Sequence, residues 1–432
     1  MEPTFHALID YNDPYVLPLI HSALSSHLPD SSFRHIESAP PQLPAPSLQF
    51  RDYEAIDFET ALRDPEYHLI NAYIIRKALI RKHFLSTTIS SWITKHPASI
   101  LKEHFKPAVD FELDYAEFLD DALVEAFELR ESFEKNDGKE PAEREWWILK
   151  PGMSDRGQGI RLFSTEEELQ AIFEEWEAER PDSDDEDDLE EEPPLEHQDD
   201  IKSSSMESKE NGDYIITSQL RHFIAQPYIH PPLLLPSEGN RKFHIRTYVL
   251  SVGALKVYVY KPMLALFAAE PYAPPWEDSD LRAHLTNTCL QDTGEREGSV
   301  RAFWSLPDEV ILDGGASEED WKNAVFEQIC NITGEVFEAS ARGMMVHFQP
   351  LPNAFELFGL DFLVDANGTA WLLEINAFPD FRQTGEELKD LVQGLFEDTI
   401  SVAVKPFFGM GNSSVPGTAR MTKVLDIDLG RR

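Results

Sequence analysis

Cysteine is nearly absent: the 432 residues hold two, Cys289 and Cys330. They show no paired metal spacing, and one bridge would do little for a chain this long. No disulfide scaffold or cysteine-held metal is read, and a reducing, cytoplasmic setting is expected. No run of 18 apolar residues occurs, and the opening MEPTFHALIDYNDPYV has no basic stretch with an apolar one behind it, so neither a membrane span nor a secretory leader is expected. Basic residues are also few, 38 Lys and Arg against 78 Asp and Glu, for a net charge of −40. Nucleic-acid binding, which needs cations clustered against phosphates, is disfavoured.

A chain of this length exceeds one core and suits two or three packed lobes. The charge is unevenly placed. Residues 164–213 carry 22 Asp and Glu against Arg180, Lys202 and Lys209. The centre of that segment, about 181–212, is poor in apolar residues and cannot bury enough surface to offset its ordering entropy, so a disordered insertion is expected, either a solvated spacer or a docking or phosphorylation strip. An α/β (α+β) organisation follows from the rest. FHALIDY reads as a strand with a helix from Pro14 to Leu24, residues 67–106 carry a helical pattern, and DYAEFLDDALVEAFELRESFEKN reads as an amphipathic helix. Alternating strands run from RKFHIR to WLLEIN, and EELKDLVQGLFEDTISVAV reads as a closing helix. The expected division is an N-terminal lobe 1–110, a central lobe 111–228, a C-terminal lobe 229–406 and a flexible tail 407–432.

Three segments carry chemistry. In WWILKPGMSDRGQGIRLF, Lys150 ends an apolar strand and Gly152, Gly157 and Gly159 follow before a second strand. No helix follows the glycines, as the Walker and dinucleotide loops require. The remaining readings are a lysine beneath a hairpin lid whose N–H groups close over phosphates, or an ordinary glycine-rich turn. In GLDFLVDANGTAWLLEIN, Asn367-Gly368 is the preferred pair for a two-residue type I′ turn. That turn sets Asp361 across from Glu374, with Asn376 on the same face and Leu360, Phe362, Val364, Trp371, Leu373 and Ile375 on the other. Facing carboxylates repel unless a proton or cation sits between them, or unless they splay into solvent. Oxygen donors of this kind suit Mg²⁺. In RKFHIRTYVL, Lys242, His244 and Arg246 alternate on one strand face, and a two-residue loop in SVGAL would return Lys261 to that face. Such a basic face receives an anion or forms internal ion pairs. HLTNTCLQ places His284, Thr286 and Asn287 in a polar turn.

In combination and order these segments resemble the tubulin–tyrosine ligase family of the ATP-grasp superfamily, over roughly residues 70–400. WILKPGMSDRGQGI is similar to the family's nucleotide loop and QPYIHPPLLL to its adenine hinge; KFHIR, HLTN and FGLDF…WLLEIN follow in family order. The resemblance implies a three-subdomain ATP-grasp fold with ATP between the central and C-terminal lobes. It implies that Lys150, Gly157, Gln158, Gly159 and Lys242 contact the nucleotide, that Gln226, Pro227, Tyr228 and Ile229 border the adenine, and that Asp361, Glu374 and Asn376 hold Mg²⁺. Arg246, Lys261, His284 and Asn287 are the expected catalytic and carboxylate-gripping residues. The family usually has aspartate where this chain has His244, and arginine where it has Lys261.

The implied activity is ATP-dependent carboxylate–amine ligation. A monomeric cytoplasmic enzyme would add a free amino acid, tyrosine or another, to a protein acceptor such as the acidic tail of tubulin. Alternatives are glutamate or another residue on a different protein, or a non-catalytic adaptor. Arg76, Lys77, Arg81, Lys82 and His83 form a basic strip, with Lys77 and Arg81 one helical turn apart, which would receive an acidic tail.

Overall fold

A computed structural model of the chain describes residues 4–29, 31–151, 159–178, 221–286, 299–313, 317–318, 320–385, 388–410 and 419–430. The acidic segment expected at 181–212, and Gly157, Gln158 and Asn287, lie outside them. The chain divides into two compact units, residues 1–109 with 226–432, and residues 110–225.

The larger unit begins with β1 (Phe5–Asp10), α1 (Val16–His27), β2 (Phe33–Ile36), β3 (Ser47–Arg51), α2 (Phe58–Arg63) and β4 (His68–Ile70). All four strands are parallel, in the order β2-β1-β3-β4. Asp13 starts α1 by accepting the N–H groups of Tyr15 and Val16 at 2.8 and 3.3 Å, which supplies partners for donors the helix leaves free. The helical pattern expected over 67–106 is interrupted. His68–Ile70 is a strand because all three residues are buried within a parallel sheet. Next come α3 (Lys77–Ile80), α4 (Lys82–Lys95) and α5 (Leu101–His104). Arg81, extended at φ −101° and ψ 121°, separates α3 from α4. Lys77 and Arg81 therefore do not share the face of one helix, contrary to expectation.

The smaller unit holds β5 (Val109–Glu112) but for its first residue, α6 (Leu119–Ala122), α7 (Phe127–Asn136), β6 (Trp147–Pro151), β7 (Arg161–Phe163), α8 (Glu166–Ala178) and β8 (His222–Pro227) but for its last two. The single helix expected here is broken at Ala126, whose ψ of 60° is not helical, yet Leu119, Leu123, Ala126 and Leu129 are all buried. The sheet order is β5-β8-β6-β7, and Phe111, Phe173, Trp176 and Phe223 pack together in its core. As the sequence led one to expect, Lys150 lies on a strand and a second strand, antiparallel to it, follows the glycines.

The rest of the larger unit contains β9 (Arg241–Val252), β10 (Lys256–Tyr260), β11 (Leu264–Pro271), β12 (Val300–Ala302), the short pair β13 (Val310–Ile311) and β14 (Ser317–Glu318), β15 (Phe355–Val364), β16 (Ala370–Ala377) and β17 (Met421–Asp426). β9 is central: β10 and β11 share one of its edges and β15 takes the other. Phe243, Ile245 and Val249 turn toward Val325, Ile329, Ile332 and Val336 of the helix Trp321–Gly343. Tyr248 and Leu250 turn the other way, into a core shared with β1, β3, α1 and the helix Lys389–Thr399. Residues assigned from sequence to the N-terminal and C-terminal lobes thus share both cores. The tail is a correction: Met421–Asp426 is not loose but pairs with β10, anchored by Arg420 on Asp398 and Glu397 at 2.9 and 3.2 Å.

Candidate active site

β15 and β16 are joined through Asp365–Ala366–Asn367–Gly368–Thr369. The Gly368 N–H donates to the Asp365 carbonyl at 2.9 Å and the Asp365 N–H to the Thr369 carbonyl at 3.0 Å. Gly368 alone in this turn has positive φ, 81°. This is a three-residue loop with a left-handed glycine, not the expected type I′ turn. The Asp365 carboxylate favours it by accepting the N–H groups of Asn367 and Thr369, each at 2.9 Å. Pairs near the turn are consequently one residue off the expected register: Val364 with Ala370, Leu363 with Trp371, Phe362 with Leu372. A bulge then absorbs Leu373, and beyond it Asp361 lies across from Glu374 and Gly359 across from Asn376. The expected carboxylate pair is present, reached through two departures that cancel. The cost falls on the other face, where Leu372, not Leu373, enters the core and Trp371 is only half-buried.

The alternation expected for RKFHIR holds, with Lys242, His244 and Arg246 buried on the face opposite Phe243 and Ile245. Arg246 lies directly across from Asp361 and grips it with two donors, Nε at 2.5 Å and Nη2 at 3.0 Å. Burial works against the Arg246 charge, and Asp361 more than offsets it, so the pKa of Arg246 rises. Glu374 has its own cation, the Lys82 ammonium at 2.9 Å, whose pKa the Glu374 charge raises. Asn376 Nδ2 donates to the other Glu374 oxygen at 3.1 Å. Arg246 at Asp361 and Lys82 at Glu374 thus both relieve the repulsion across the ladder.

His244 Nδ1 lies 2.6 Å from Thr286 Oγ1. Its Nε2 is 3.6 Å from Asp361 Oδ1, too far for a hydrogen bond, and has no other hydrogen-bond partner among the described residues. Burial lowers the His244 pKa, with Asp361 opposing, which favours the uncharged ring. Farther along the face, Lys242 Nζ sits 4.0 Å from the centroid of the Tyr228 ring. His284 Nε2 is 2.7 Å from the Asp278 carbonyl, which can only accept. The proton is therefore assigned to Nε2, and Nδ1 accepts from the Tyr228 hydroxyl at 2.8 Å. Of the remaining residues expected to border an adenine, Gln226 and Ile229 are buried and Pro227 is half-buried.

Asp361, Glu374, Asn376, Lys242 and Arg246 are thus gathered on one sheet, with His284 beside Tyr228 at its margin. Lys261 is not among them. The β9–β10 loop is Gly253-Ala254-Leu255, three residues where two were expected, since Val252 pairs with Lys256. The extra residue inverts the parity, and Lys261 is exposed with its ammonium 5.2 Å from the Trp304 ring centroid. Lys150 and Gly159, the latter at φ 72°, belong to the smaller unit. Two of the five strip residues pair with carboxylates of the fold, Arg76 with the buried Glu356 at 2.8 Å and Lys82 with Glu374, while Arg81 is exposed. Thr286 is a site residue that the sequence did not assign, and Lys82, expected in the strip for an acidic tail, stands instead beside Glu374. The HLTN turn signalled Thr286; nothing local signals Lys82, which lies 292 positions from Glu374.

A model of the tubulin-tyrosine ligase family matches residues 61–410. A protein of Schizosaccharomyces pombe named "Probable tubulin–tyrosine ligase" is 44% identical over 401 residues, 93% of this chain and 91% of its own length. "Probable tubulin–tyrosine ligase PBY1" of Saccharomyces cerevisiae is 45% identical over 404 residues, 90% of this chain and 50% of its own. Among solved structures, the C-terminal domain of K. lactis Pby1, described as an ATP-grasp enzyme interacting with the mRNA decapping enzyme Dcp2, superposes with a TM-score of 0.70 at 36% identity, covering 98% of this chain and 99% of that one.

Proposed function

The chain belongs to the tubulin–tyrosine ligase family and has the ATP-grasp fold, and from that membership we propose that it is a cytoplasmic, ATP- and Mg²⁺-dependent ligase that joins an amino acid to a carboxylate of a protein. The observation that carries the reading is the Asp361–Glu374–Asn376 constellation on one hairpin, with Asp361 across from Arg246 and Lys242 buried farther along the same strand.

These residues suit the ion chemically. All three can offer oxygen, and Asn376, donating through Nδ2, keeps its Oδ1 available. Among the described residues no three His, Cys, Asp or Glu side chains converge as a metal cage, which fits an ion that takes one or two carboxylates and fills its shell with water and phosphate oxygens. When bound, it would neutralise charge on the transferring phosphate.

The chain's own residues do the rest. Lys242 supplies a buried cation for a phosphate oxygen. Arg246, its fork committed to Asp361, holds that carboxylate in place instead of a substrate's, a revision of its expected role. His284 accepts from the Tyr228 hydroxyl and so fixes the ring that flanks Lys242. In the reaction, an acceptor carboxylate oxygen attacks the γ-phosphorus and ADP leaves. The amine then attacks the acyl carbon, phosphate leaves, and a proton is lost as the amide forms. Positioning and charge stabilisation provide the catalysis.

The names of the two curated relatives support tubulin as acceptor and tyrosine as donor. The description of the solved relative supports a protein of the decapping machinery, as acceptor or as bound partner. His244, standing where the family usually has aspartate, favours a second reading as a nucleotide-binding adaptor. Incubating the protein with Mg-ATP and each labelled amino acid, in the presence of tubulin or of Dcp2, tests all of these. Label in one acceptor identifies it. Binding to Dcp2 with no amino acid transferred to either protein favours the adaptor.

A further inference from the structure

The two cations on the carboxylate ladder are held very differently. Arg246 makes two bonds to Asp361, with the side chains only 8% and 6% exposed. Lys82 makes a single 2.9 Å contact with Glu374 Oε2, with the side chains 39% and 27% exposed. Lys82 is also the first residue of α4, a helix with no capping side chain and no acidic residue in its first turn. A cation there opposes the helix dipole. Glu374 offsets that penalty. Its Oε1 is already engaged by Asn376, so an ion arriving at this carboxylate meets Lys82 at Oε2.

We propose that Lys82 is the resident counter-ion of Glu374 and that a divalent cation takes its place. The proposal rests on Glu374 being a metal ligand, as read above. Without metal, the ammonium keeps Glu374 from repelling Asp361. When the ion binds, an ammonium and a divalent cation crowded against the same carboxylate oxygen repel one another, and the flexible, singly bonded, half-exposed lysine is the one released. Arg246 stays, because it is buried and doubly bonded. Metal affinity is then set by competition within the chain, and loading the site unties the first turn of α4 from β16.

The test is direct Mn²⁺ binding to the full chain, counted from the loss of the free-ion paramagnetic signal, in wild type, Lys82→Met, Lys82→Arg and Glu374→Gln, with melting temperatures as a fold control. Removing one partly exposed ion pair should make Lys82→Met bind about fivefold more tightly, ~1 kcal/mol. Lys82→Arg should return affinity toward or below wild type, and Glu374→Gln should lose binding. Weaker or unchanged binding in Lys82→Met, with Glu374→Gln impaired, would leave the metal site standing but sink the exchange. No binding in any form would remove the ligand assignment and the exchange with it.

Discussion

Arg246 and Asp361 face each other across β9 and β15 and are joined by two hydrogen bonds, at 2.5 and 3.0 Å, with both side chains buried. Removing one partner leaves a buried charge uncompensated. Arg246→Met should lose about 3–5 kcal/mol of stability, while Arg246→Met with Asp361→Leu should recover much of that loss. Denaturant titration of both variants is the check, and a double variant no more stable than the single one would show that the pair does not behave as a buried ion pair.

Mg-ATP should stabilise the protein by ~2.7 kcal/mol at a hundred times its dissociation constant. The expectation follows from Lys242, Asp361, Glu374 and Asn376 sharing one surface. A melting temperature that stays fixed at millimolar Mg-ATP would remove the ligase reading and the adaptor reading together.

Glu356 is fully buried; its carboxylate meets Arg76 at 2.8 Å and the Tyr73 N–H at 3.0 Å. Burial raises its pKa from 4.5 to about 7, with Arg76 and the Tyr73 bond pulling downward. Between those values the folded chain keeps a proton that the unfolded chain releases. Stability should therefore fall as pH rises from about 4.5 through 7, by up to ~3 kcal/mol from this group. The Glu356 carboxyl followed by carbon NMR should titrate near 7 in wild type and higher in Arg76→Met. A midpoint near 4.5 would refute the account.

Gly359 stands across from Asn376, and a Cβ built on it would lie 2.8 Å from Pro379 Cβ and 3.3 Å from Arg246 Cδ. Gly359→Ala must displace the segment that follows Asn376, costing about 1–3 kcal/mol. Lower melting temperature and weaker Mn²⁺ binding should appear together; an unchanged melting temperature would show that the segment gives way freely.

What could be read from the chain depended on range. The alternation of RKFHIR fixed which side chains share a face, because strand parity is local and β9 has no bulge in that stretch. Parity across a loop was less secure. One extra residue in Gly253-Ala254-Leu255 sent Lys261 away from the site, and one in the Asp365–Gly368 loop would have separated Asp361 from Glu374 had Leu373 not bulged. The break at Arg81 and the capture of Lys82 by Glu374 were invisible, because the partner that makes that arrangement favourable comes from the other end of the chain. The order of motifs identified the family even so, since each marks a position on the fold that survives such local shifts.

The strand β17 has a colloidal consequence. It pairs along β10, whose sequence KVYVY would otherwise present open hydrogen-bonding groups and alternating valine and tyrosine at the rim of the largest sheet. Its own backbone runs so close to the helix Trp321–Gly343 that a Cβ at Gly334 would lie 2.9 Å from the Val424 carbonyl oxygen. Without this strand, β10 becomes a template for a second molecule, and the chain trades an intramolecular seam for self-association.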